Sequence, residues 1–113
     1  MILLNYWAGG IVDDIFVDFR IDPIRNIDII LASYYEGNYE GYAFVLFKQN
    51  GKLWEVNGSH CSCYGLEYQW DPEETTIESL RHRLKEGTLG NSEYSGNVFN
   101  VELEEVLNQL EKE

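Results

Sequence analysis

Cations, sulfur and proline are scarce in this sequence. Lys and Arg number 8 against 20 Asp and Glu in 113 residues, giving a formal charge of −12. Affinity for nucleic acid comes mainly from cations that displace condensed counterions, so direct binding of this chain to DNA or RNA is not expected. The only cysteines, Cys61 and Cys63, stand one residue apart. At that spacing the Cα separation and dihedral of a disulfide between them are hard to reach, which leaves ligation or plain burial as their role. No apolar run approaches a membrane span. The opening Met1-Ile2-Leu3-Leu4-Asn5-Tyr6-Trp7 is too short for a secretory core and carries no basic leader, so a cytoplasmic protein is expected. The catalytic signatures are missing as well: there is no Gly-x-Ser-x-Gly elbow, no phosphate-binding glycine loop and no His-Glu-x-x-His helix.

What the chain does contain suffices for a fold. Hydrophobic residues make up 44% and aromatic residues 14%, enough apolar area to exclude disorder despite the charge. The length fits one domain over residues 1–113. The apolar and acidic residues of 11–22 recur at helical spacing, with Ile15, Phe16 and Phe19 against Asp13, Asp14 and Asp18, and read as a short amphipathic helix, with a strand as the alternative because Val17 and Ile21 fit one as well. Asp22-Pro23 ends that element, and the β-branched run from Ile27 to Tyr35 reads as a buried strand. Tyr35 to Tyr42, with Gly37 and Gly41, reads as a loop between antiparallel strands. The strongest local signal is Asn50-Gly51 between two β-rich runs, the favoured pair for a type I′ hairpin. With those two as the loop, Gln49 pairs with Lys52, Phe47 with Trp54 and Val45 with Val56, and the last two pairs share the core face. Leu46 opposite Glu55 and Lys48 opposite Leu53 form a mixed second face.

Asp71-Pro72-Glu73-Glu74 offers an N-cap, a proline at the first helical position and an acidic first turn, and Thr75 with Glu78 offers a capping box. A helix is expected from one of these two starts, with Ile77, Leu80 and Leu84 on one face and Gly87 as its stop. A last amphipathic helix follows, marked by Phe99, Leu103, Val106, Leu107 and Leu110. The fold class is therefore α+β: a small antiparallel sheet, a meander with an Asn-Gly hairpin, packed by two or three helices.

Three of the four Cys and His side chains occupy His60-Cys61-Ser62-Cys63, between Gly58 and Gly65. Zinc takes four such donors in tetrahedral array, so His60, Cys61, Cys63 and His82 form a candidate zinc site. An extended backbone puts His60 on the opposite side from Cys61 and Cys63, so joint ligation requires a turn. His82 lies about 165° from the centre of the apolar stripe of its helix at ~100° per residue, pointing away from the core. It ligates only if the loop folds over that outer side; otherwise it is a solvated histidine at a helix end, and Glu67 or Asp71 could supply the fourth donor. The competing reading of the whole cluster is a tight turn with two small buried cysteines.

An acidic surface of this density suits docking into a basic groove of a partner, in competition with the nucleic acid that occupies it. Glu36, Tyr39, Glu40, Glu102 and Glu105 are the candidate partner-binding residues, Tyr39 because it sits at the expected loop tip. The alternative is a small zinc-dependent hydrolase with Glu67 as its base.

The block Glu55-Val-Asn-Gly-Ser-His-Cys-Ser-Cys-Tyr-Gly-Leu-Glu67, followed by Gln69-Trp-Asp-Pro-Glu-Glu-Thr75, resembles the central block of small phage and prophage proteins. In size and acidity the chain also resembles anti-CRISPR proteins, in particular a metal-containing inhibitor of the type II RNA-guided nuclease. That resemblance implies a zinc ion held by His60, Cys61 and Cys63; the missing catalytic constellations lead to a non-enzymatic inhibitor as the expectation. The resemblance also implies an acidic surface docked on a basic, nucleic-acid-binding lobe of the effector nuclease in the host cytoplasm. A phage accessory protein without either activity is the remaining reading.

Overall fold

A computed structural model describes residues 1–37, 40–60, 65–92 and 96–113. In chain order the elements are β1 (Ile2–Asn5), α1 (Val12–Phe19), β2 (Asp28–Gly37), β3 (Glu40–Gln49), β4 (Lys52–His60), β5 (Glu73–Thr75), α2 (Ile77–Glu86), β6 (Asn91–Ser92), β7 (Gly96–Asn97) and α3 (Asn100–Glu111). A five-stranded sheet in the order β1-β2-β3-β4-β5 and three helices make this an α+β fold. The backbone clusters into two compact units, Met1–Glu74 and Thr75–Glu113, although the sequence carries no recognisable linker at the junction.

The centre of the first unit is the β3–β4 hairpin. Asn50 and Gly51 both adopt positive φ, 54° and 75°, the backbone of a two-residue turn whose twist matches the flanking strands. The pairing is the one expected: Gln49 with Lys52, Phe47 with Trp54 and Val45 with Val56. Strand β2 runs antiparallel to β3, with a bulge between Ile29 and Leu31. It reaches Gly37 while β3 begins at Glu40, so the segment expected to be a loop from Tyr35 to Tyr42 is mostly strand. Tyr34, Tyr35 and Tyr42 belong to these strands. The N-terminal apolar run, to which the sequence assigned no element, adds β1 parallel to β2 and makes the sheet mixed.

One face of this sheet carries Ile29, Ala32, Ala43, Val45, Phe47 and Val56, all buried with Ile15 and Phe19 of α1, Trp7 and Leu66. Burial of one such large side chain stabilises a fold by about 1.5–3 kcal/mol, so this cluster is the chief support of the unit. Helix α1 begins where the Asp14 carboxylate accepts from the Ile11 backbone N–H at 2.9 Å. It ends at Arg20, whose left-handed backbone lets the N–H groups of Arg20 and Ile21 return to Val17 and Phe16. Trp70 stacks on Phe47 at an interplanar angle of 10° and meets Phe16 and Phe19 edge-on. On the opposite face Leu31, Phe44 and Leu46 are also buried, together with Ser33 and Glu55. The face read as mixed is therefore covered at Leu46 and Glu55, and the Glu55 carboxylate accepts from the Asn57 amide at 2.9 Å.

The second unit holds α2, the short β6–β7 pair and α3. Leu80, Leu89, Phe99, Leu103, Val106 and Leu107 are its buried apolar residues. Arg81 of α2 ties the two helices together through Glu111 at 2.9 Å and Asn108 at 2.8 Å on α3. Helix α2 starts one residue beyond the later of the two expected starts. Glu73–Thr75 pairs as β5, so Asp71-Pro72 caps nothing, and the N-cap is Thr76, whose hydroxyl accepts from the Ser79 N–H at 3.0 Å. Gly87 is the expected stop, at φ 77°. Thr76→Ala is predicted to lower stability by about 1 kcal/mol in chemical denaturation, whereas Asp71→Ala stays within about 0.5 kcal/mol of the parent.

Candidate functional site

Continuing the hairpin register away from the turn brings Gly41 of β3 opposite His60 of β4, while Glu36 of β2 pairs with Gly41 on its other side. Three residues thus form one row across three strands, with a glycine in the middle. Because the central position has no side chain, the two outer ones meet over it: His60 Nε2 lies 3.2 Å from Glu36 Oε1. A methyl group at Gly41 would overlap the imidazole ring itself. The His60 side chain is only 11% exposed and Glu36 is 40% exposed, so the pair is a half-covered carboxylate holding a nearly buried imidazole.

Tyr34 completes the cluster from the same face of β2. Its ring stands edge-on to His60 at 5.7 Å and packs near Trp7 at 5.3 Å and Tyr6 at 5.8 Å. Burial, followed by the nearby charges of Glu36 and Asp18, pushes the Tyr34 phenol from 10.0 up to about 12. Asp18 in turn accepts from the Trp7 indole N–H at 2.7 Å, which satisfies the polar atom of an otherwise buried ring.

The side chain of Gln69 joins the end of β4 to Gly65. Its carbonyl accepts from the Ser59 N–H at 2.8 Å, and its amide donates to the Ser59 carbonyl at 2.7 Å and the Gly65 carbonyl at 3.0 Å. Leu66 is buried beneath, next to Gly58, where a larger residue would press on Leu66, Gln69 and Phe19. Among the described residues, one amide side chain thus ties the end of β4 to the segment from Gly65 to Gln69. No spacing rule marks such a glutamine, because its partners are backbone groups several residues away.

The residues singled out from the sequence fall in different places. Cys61, Cys63 and Tyr39 lie outside the described residues, as does the side chain of Glu40. His82 is exposed on α2, in the second unit, on the outer side of its helix as its phase required. Glu105 is exposed and Glu102 half-buried on α3. Glu67 lies 4.0 Å from Arg20 at a separate groove of the first unit, and Asp71 is exposed. Among the described residues no three His, Cys, Asp or Glu side chains converge as a metal site would require. No helix of the described residues is long and apolar enough to cross a membrane. Comparison with protein-family models, with curated proteins and with solved structures finds no match to this chain. The class that fold and site define is an acidic α+β protein with a tyrosine, histidine and glutamate cluster at one end of its sheet.

Gly41→Ala is predicted to destabilise the protein by about 1–3 kcal/mol, as overpacking does, and the double variant Gly41→Ala/His60→Ala to regain most of that loss. The pH dependence of Tyr34 has a definite sign. Its folded pKa lies above the unfolded value, so its stabilising contribution is complete below pH 10.0 and is lost as pH rises through about 12. Absorbance titration should show one phenol ionising near 12 that is missing in Tyr34→Phe, with the alkaline loss of stability shallower in that variant.

Proposed function

We propose that this chain is a non-enzymatic acidic binding protein that occupies a basic, nucleic-acid-binding surface of a partner protein and excludes the nucleic acid from it. The observation that carries this reading is the excess of 20 acidic over 8 basic residues, together with where the carboxylates lie. Asp14, Asp22, Asp28, Glu36, Asp71, Glu73, Glu74, Glu78, Glu104 and Glu105 are all exposed, whereas Glu55 is buried. Several of the few cations are already engaged with carboxylates: Arg25 with Asp13, Lys52 with Glu74 and Arg81 with Glu111. Such a surface repels phosphate and attracts arrays of Lys and Arg, and it raises the rate of encounter with them.

The resemblance to anti-CRISPR proteins narrows the partner to the effector nuclease of a type II CRISPR system, with the chain as a phage-encoded inhibitor of DNA loading. A zinc ion at His60, Cys61 and Cys63 is a separable part of this proposal. It predicts about one zinc per chain by elemental analysis, lost in Cys61→Ser and Cys63→Ser.

The binding reading is tested by incubating the chain with a type II effector nuclease and measuring loading of labelled DNA by gel shift. The expected result is loss of loading with parent protein and recovery with Glu36→Lys/Glu40→Lys and with Glu102→Lys/Glu105→Lys. Full inhibition by both charge-reversed variants would contradict it.

A further inference from the structure

The first unit carries a groove of about 220 Å³ lined by Arg20, Ile21, Glu67, Tyr68 and Trp70. Two of its lining residues have unusual backbone: Arg20 and Tyr68 are non-glycine residues with φ of 57° and 66°. At Arg20 that conformation ends α1. At Tyr68 it supports a ring that is fully exposed, so a bulky residue is held in a glycine-type conformation with no burial of its ring in return. Gly or Asn would occupy that position with less strain. Gln69 fixes the turn from behind through its three hydrogen bonds, and Trp70 is immobilised between Phe47, Phe16 and Phe19. The lining of the groove therefore includes one immobilised aromatic ring, Trp70, and one fully exposed ring, Tyr68.

The groove carries one carboxylate and one guanidinium, and Glu67, 30% exposed, is its acidic group. Arg20 approaches Glu67 only to 4.0 Å with a side chain 76% exposed, a loose contact that nonetheless places a guanidinium beside this carboxylate. Planar guanidinium groups stack on aromatic faces and bind carboxylates in a fork, which ammonium groups do not.

We propose that this groove receives an arginine side chain of the protein partner, stacked between Tyr68 and Trp70 and paired with Glu67, in place of the loose Arg20 contact. The inference rests on the acidic-binding reading and names an anchor within it. The net charge of −12 draws a basic partner to the protein, and this groove gives one of its side chains a defined seat.

The test is a ¹⁵N–¹H correlation titration of the full chain with the capped peptide Gly-Arg-Gly-Arg-Gly, and in parallel with Gly-Lys-Gly-Lys-Gly. The expected result is saturable shifts of the Trp70 indole and the Glu67 and Tyr68 amides with the arginine peptide, about fivefold weaker with lysine. Glu67→Gln should weaken binding about fivefold, and Arg20→Ser should strengthen it by removing the competitor and its repulsion. Tyr68→Phe should bind as the parent. Tyr68→Gly should lose the site while its melting temperature stays equal or rises, which separates recognition from folding. Arginine-peptide shifts spread over the carboxylates elsewhere, with the groove unmoved or Tyr68→Gly still binding normally, would overturn the groove and leave the acidic reading standing. No interaction with either peptide even at low salt would overturn both.

Discussion

The two-residue turn at Asn50-Gly51 decides which way every side chain of β3 and β4 points. Side chains alternate along a strand, so a slip of one residue would exchange the two faces completely. Both turn residues adopt positive φ, and with that geometry Phe47, Val45 and Val56 face the α1 side. The same register, carried to the far end of the strands, sets Gly41 against His60 and Gly58 against Ala43. The space over Gly41 is where Glu36 and His60 meet, and the space beside Gly58 admits Leu66 and Gln69. Packing near the turn and the polar cluster at the other end are thus consequences of one backbone constraint.

The distribution of charge is a separate matter from what holds the fold. Exposed ion pairs such as Lys52 with Glu74 contribute little in water, and a surplus of like charge at the surface works against the folded state. Stability comes from the aromatic and aliphatic cluster of Trp7, Phe19, Phe47 and Val56 and their neighbours, with Trp7 anchored by Asp18 and the Leu66 turn by Gln69.

Elements whose cause is local were legible in the sequence. The hairpin register followed from Asn50-Gly51, α1 from the spacing of Ile15, Phe16 and Phe19, the end of α2 from Gly87, and α3 from Leu103, Val106 and Leu107. The start of α2 was misread because Asp71-Pro72 and Thr75 carry good capping chemistry, yet Glu73–Thr75 is drawn into the sheet and Thr76 takes the role. The parallel pairing of β1 left no trace, since four residues are too few for periodicity and the partner strand lies far along the chain. The approach of His60 to Gly41 was implicit in the register of Phe47 with Trp54; the arrival of Glu36 required the pairing of β2, which no turn motif announces. Gln69 was invisible because an amide that binds backbone groups has no signature in spacing.

The central claim is that attraction between exposed carboxylates and a basic partner carries the function. It is tested most directly by the affinity for a type II effector nuclease, the proposed partner, as a function of salt concentration. A charge-driven interface predicts a logarithmic affinity that falls steadily between ~0.05 and ~0.5 M salt, because added salt shortens the Debye length and screens the attraction between the two surfaces. An affinity that stays constant across that range would contradict the account.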